Sequence, residues 1–60
     1  MNSVYLTRIV QFCKQHNGTL ILDYSHDTWD VLITWGDNKA YGQATDFTRA
    51  LRIAWRKVAA

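Results

Sequence analysis

The chain is 60 residues long and 48% hydrophobic, with seven Lys or Arg against five Asp or Glu for a net charge of +2. That balance excludes the dense basic stripe of a strong phosphate binder, and equally an acidic surface able to mimic DNA. The single cysteine, Cys13, excludes an intramolecular disulfide framework and points to a reducing, cytoplasmic setting.

A chain this short buries only about 60% of the surface its unfolded form exposes, so its core must be dense. Trp29, Trp35 and Trp55 supply that density, since each large aromatic can bury about 150–250 Å². Self-association is the other common remedy for a small core, so a homodimer is as much an expectation as a monomer. The opening MNSVYLTRIV lacks the basic region and continuous apolar run of a signal peptide. No window approaches the roughly 18 apolar residues that would span a bilayer, so no membrane partner is expected.

Residues 3–16 have the spacing of an amphipathic helix. Tyr5, Leu6, Ile9, Val10, Phe12, Cys13 and His16 share one side, with Thr7, Arg8, Gln11, Lys14 and Gln15 on the other. Ser3 is the expected N-cap, and Gly18 is expected to take the left-handed conformation that ends the helix. Cys13, inside this apolar run, reads as a small buried hydrophobe.

TLILDY (19–24) and TWDVLITW (28–35) are rich in β-branched and aromatic residues and bounded by turn formers, the pattern of a hairpin. A turn over Ser25–Thr28 pairs Tyr24 with Trp29, Leu22 with Val31 and Leu20 with Ile33 on one face, which Trp35 continues; this is the expected core face. The other face then carries Thr19, Ile21, Asp23, Asp30, Leu32 and Thr34. Gly36-Asp37-Asn38 signals a second turn, after which Lys39–Gly42 is expected as a short third strand, with Ala40 or Tyr41 against the sheet, and Gly42 as the point where the chain leaves it.

Residues 46–58 give the last helix. Phe47, Ala50, Leu51, Ala54, Trp55 and Val58 form its apolar stripe, Thr45 or Asp46 its cap, and Arg56-Lys57 suit its C-terminal end. The expected fold is α+β in a single compact domain over residues 1–60, with the order α-β-β-(β)-α. A small antiparallel β-meander packs against two amphipathic helices. Because the two sheet faces differ so strongly, both helices are expected on one of them.

Three features bear on function. Asp23 and Asp30 fall opposite one another, with β-carbons about 4.5–5.5 Å apart, and like charges so placed are mildly destabilising unless something answers them. Solvation is the simplest answer, and an Arg or Lys from a partner the next. A metal site would want three or more convergent protein ligands, and catalysis would want a pocket. The chain has no nucleophile–base pair, CxxC, HExxH or glycine-rich phosphate loop, so neither an enzyme nor a cofactor is expected. Ile21 and Leu32, beside the aspartates, make a small apolar patch of the kind partners cover. Arg49, Arg52 and Arg56, with Lys57 close by and Ile53 among them, form a face of the last helix that could meet phosphates or an acidic protein groove. The expected function is therefore non-enzymatic protein binding through Ile21, Asp23, Asp30, Leu32, Arg49, Arg52, Ile53 and Arg56. Nucleic-acid binding by the arginine face is the alternative.

The α-β-β-β-α order resembles the double-stranded RNA-binding domain, but the lysine cluster that opens that family's last helix has no counterpart in Ala44-Thr45-Asp46-Phe47. A closer resemblance is to small phage-encoded α/β sandwich proteins. In these a Trp-bearing strand and a glycine turn lead to a helix of the form A-T-x-x-x-x-A-[LI]-x-x-A. Trp29, Gly36, Ala44, Thr45, Ala50, Leu51 and Ala54 match it over about residues 28–58. The resemblance implies a small phage or prophage accessory protein, from a group with no established activity.

Overall fold

The computed structural model describes residues 4–60. Helix α1 spans Val4–His16, strand β1 Thr19–Ser25, β2 Thr28–Trp35, β3 Asn38–Ala44, and helix α2 Phe47–Ala59. The strands form one antiparallel sheet in the order β1-β2-β3. This is the expected α+β meander with two helices. The third strand is longer than expected, and the cap expected at Ser3 lies outside the described residues.

The turns explain the register. His26 and Asp27 both have positive φ, 52° and 59°, the signature of a type I′ two-residue loop whose twist matches a hairpin. Gly36 alone is positive in the second loop, at 56°, which is the II′ pattern with glycine at its first central position. Helix α1 ends differently from the expectation. Asn17, not Gly18, takes the left-handed conformation, at φ 54°, and the Gly18 amide donates to the Cys13 carbonyl at 2.8 Å. That six-to-one bond is a Schellman ending with Asn17 at C′. Gly18 is required for space, because a β-carbon there would stand 2.9 Å from the Thr34 carbonyl oxygen.

Both helices lie on the face of the sheet that carries Trp29, Val31, Ile33 and Trp35. Ile9 of α1 and Ala50, Leu51 and Ala54 of α2 are buried with Val31, Ile33 and Ala40 in one cluster. Fully burying a side chain such as Ile9, Val31, Ile33 or Leu51 is worth about 1.5–3 kcal/mol. Aromatic pairs close the core at the two ends of β2. Phe12 meets Trp35 and Trp55 edge-on, with ring centres 5.1 and 5.9 Å away, and Trp29 packs on Phe47 at 4.6 Å.

Gly42 does not release the chain. It sits inside β3, where α2 crosses the strand so closely that a β-carbon would come within 2.6 Å of the Ala54 amide nitrogen and against the Ala50 carbonyl oxygen. Helix α2 therefore lies over β3 and β2, and α1 reaches β1 only near its start. This corrects the expected core. Leu22 and Tyr24 are on the helix-bearing face, yet 42% and 53% exposed, because the half of β1 nearer the turn extends past the helices. Val10 and His16 are likewise exposed. They lie at the border of the α1 stripe, where the helix has no strand beneath it.

The open face of the sheet as a candidate interface

The face away from the helices is an ordered array. Register places Ile21, Leu32 and Tyr41 in one row across the three strands, Asp23, Asp30 and Gln43 in the next, and Thr19, Thr34 and Lys39 in the row on the other side. No described element covers it. Ile21 is 48% and Tyr41 43% exposed, while Leu32 between them on the central strand is half-buried.

The aspartates meet as the sequence predicts, with Asp23 directly opposite Asp30. What answers their repulsion is Tyr41, which the sequence reading left out of the site. Its hydroxyl donates to Asp30 Oδ1 from the diagonal position on β3. The Ser25 hydroxyl is 3.5 Å from Asp23 Oδ2, a weak contact at the limit of hydrogen bonding. The bond to Asp30 is the main reason the Tyr41 phenol is pushed above its ordinary value. Desolvation comes next, then the charges of Asp30 and Asp23. The signal for Tyr41 was its place opposite Leu32 and two residues before Gln43, which makes it the diagonal neighbour of Asp30. A third strand ending at Gly42, with its inward residue undecided between Ala40 and Tyr41, could not show it.

The remaining groups of the opening hairpin belong to the turn. Tyr24 Oη contacts Asp27 Oδ1 at 3.3 Å, and the Thr28 hydroxyl donates to the His26 carbonyl at 3.1 Å. Among the described residues, no three His, Cys, Asp or Glu side chains converge as metal ligands would.

The basic face of α2 is less uniform than its spacing suggests. Arg49 and Arg56 are exposed, whereas Arg52 and Ile53 are half-buried. Arg52 lines a shallow cleft of about 320 Å³ with Tyr5, Asp46, Thr48 and Arg49, and its Nε is enclosed without a hydrogen-bond partner among the described residues. Lys57 turns away to the sheet edge and donates from Nζ to the Tyr41 carbonyl at 2.7 Å. Cys13 is half-buried, and burial raises its thiol above the ordinary value; a thiol kept protonated is a poor nucleophile.

These features define a class by architecture: an α+β meander covered on one side by two helices and open on the other. No protein-family model, no curated protein and no solved structure matches the chain. Among the described residues, no helix is long and apolar enough to cross a membrane.

Proposed function

We propose that this is a small non-enzymatic accessory protein, working in the cytoplasm, that binds another protein through the open face of its sheet. The supporting observation is the row Ile21–Leu32–Tyr41 lying beside the acidic pair Asp23–Asp30. An apolar row with an aromatic at its end and an acidic pair along one border suits a protein surface that presents Arg or Lys next to aliphatic side chains. Ile21 is exposed beside the half-buried Leu32, and the row they form with Tyr41 runs alongside the two carboxylates, apolar surface of the kind a partner covers. The resemblance to phage-encoded accessory proteins agrees with such a role. Replacing Ile21 and Tyr41 together by Asp and Ala removes apolar contact without entering the core. The double variant should stay folded and lose its partner, and a partner retained at full affinity would exclude this face.

A second reading, nucleic-acid contact through Arg49, Arg52 and Arg56, draws on the exposure of Arg49 and Arg56 along one side of α2. It is weakened by the enclosure of Arg52 and the diversion of Lys57. Affinity for generic duplexes that falls log-linearly with salt, by several units of slope, would favour it. Absence of binding at low salt removes it.

A further inference from the structure

The two edges of the sheet are unlike. Ser25 and Thr28 flank a two-residue loop as a hydrogen-bonded pair, and such pairs alternate along an antiparallel ladder. Leu20, Leu22 and Tyr24 therefore direct their N–H and C=O groups away from β2, to the free edge of β1. On β3 the same rule sends the groups of Lys39, Tyr41 and Gln43 outward, and there the Tyr41 carbonyl is taken by Lys57 Nζ. Covering charges and lysines on an edge are the usual guards against strand pairing. Strand β1 has no lysine, no proline and no break in its register; its one charge is Asp23, and Ile21, Leu22 and Tyr24 are all about half exposed.

We propose that β1 pairs antiparallel with β1 of a second copy of this chain, joining the two sheets into one of six strands across a two-fold axis. Two-fold pairing must bring outward backbone groups together, which leaves registers centred on Ile21, Leu22 or Asp23. Centring on Asp23 sets like charges face to face, and centring on Leu22 sets each Asp23 against an aliphatic Ile21. Centring on Ile21 sets Ile21 against the partner's Ile21, Leu20 against the partner's Leu22, and Thr19 where its hydroxyl can donate to the partner's Asp23. The same register carries the partner's Leu22 and Tyr24 to the Leu20 and Gly18 end of the strand. A cleft of about 390 Å³, lined by Val10, Cys13, Lys14, Asn17, Gly18 and Leu20, opens there. The exposed Leu22 and Tyr24 of each copy thus meet an apolar recess on the other. Ile21 also belongs to the open face, so the pairing is told apart from partner binding there by the backbone amides of the strand's edge and not by loss of a partner on substituting Ile21.

The test is amide hydrogen exchange, read by NMR on the intact chain at low micromolar and at millimolar concentration, alongside sedimentation. Sedimentation should show twice the 7.0 kDa monomer mass at the higher concentration. The Leu20, Leu22 and Tyr24 amides should become protected there while the neighbouring Ile21 and Asp23 amides, already in the ladder, change little. Ile21→Lys and Ile21→Glu should each weaken self-association by about tenfold or more, and mixing the two should restore a heterodimer. A monomer at millimolar concentration would overturn the proposal. So would a dimer in which those three amides exchange as in the monomer, or a Lys/Glu mixture that forms no heterodimer. Protection of the three amides that demands a different protein, whatever the concentration of this chain, would assign the edge to a foreign strand.

Discussion

Lys57 Nζ donates to the Tyr41 carbonyl oxygen at 2.7 Å from sixteen residues further along the chain. The same tyrosine donates its hydroxyl to Asp30. One residue therefore fastens α2 to the β3 edge through its backbone and meets the acidic pair through its ring. The docking of the helix and the chemistry of the open face are held at a single position.

The Tyr41 phenol should titrate above the ordinary tyrosine value when its ring resonances are followed by NMR against pH. Removing the carboxylate in Asp30→Ala should bring it most of the way back towards its ordinary value, about 10. Asp23→Ala should move it less, since Asp23 is the smallest contributor. The sign for stability follows. A phenol whose folded value is raised stabilises the fold fully below its unfolded value, and the contribution is lost as pH rises through the folded one. An Asp30→Ala protein should therefore be less pH-sensitive than the parent in the alkaline range. Equal Tyr41 titration in the parent and in Asp30→Ala would exclude the bond.

Gly42→Ala should destabilise the fold by about 1–3 kcal/mol or more, despite the smaller chain entropy an alanine brings to the unfolded state. The added methyl would press on the Ala54 nitrogen and Ala50 carbonyl, backbone atoms of α2 that cannot rotate away. Thermal denaturation followed by tryptophan fluorescence reads it directly, because lifting α2 moves Phe47 from Trp29 and Trp55 from Phe12.

His26→Asn with Asp27→Gly should stabilise the hairpin by about 0.5–1 kcal/mol, raising the melting temperature by several degrees. Both positions have positive φ, which Asn and Gly adopt at less cost than His and Asp. The gain is net of the weak Tyr24–Asp27 contact. A lowered melting temperature would mean that contact matters more than the backbone.

Asp46→Ala should cost about 1 kcal/mol, a typical loss for an N-cap. Asp46 is extended, at φ −101° and ψ 131°, and its carboxylate accepts from the Arg49 amide at 3.0 Å. Asp46→Asn, which keeps the acceptor, should retain most of the stability, and chemical denaturation of the pair separates the hydrogen bond from the charge.

Much of the fold was legible because it is written in local period and turn chemistry. The two-residue alternation of TLILDY and TWDVLITW set the hairpin register to the residue, and with it the meeting of Asp23 and Asp30. The α2 stripe was equally clear. Coverage was not legible. Nothing in the alternation of β1 says that α1 leaves the strand at its start, so Leu22 and Tyr24 read as core. Close approach was hidden too. Gly42 looked like punctuation because a glycine that admits a helix and a glycine that ends a strand are the same letter. That error shortened β3 and kept Tyr41 out of the site.

The central claim, that the open face receives a protein partner, is tested most directly by a photo-crosslinker. A benzophenone amino acid placed at position 41, and separately at position 56, is irradiated in the source cell and the adducts are sequenced. The account predicts a discrete adduct from position 41 to a protein segment bearing Arg or Lys, abolished by Ile21→Asp, and none of comparable yield from position 56. Adducts from position 56 alone, or nucleic acid in place of protein, would contradict it.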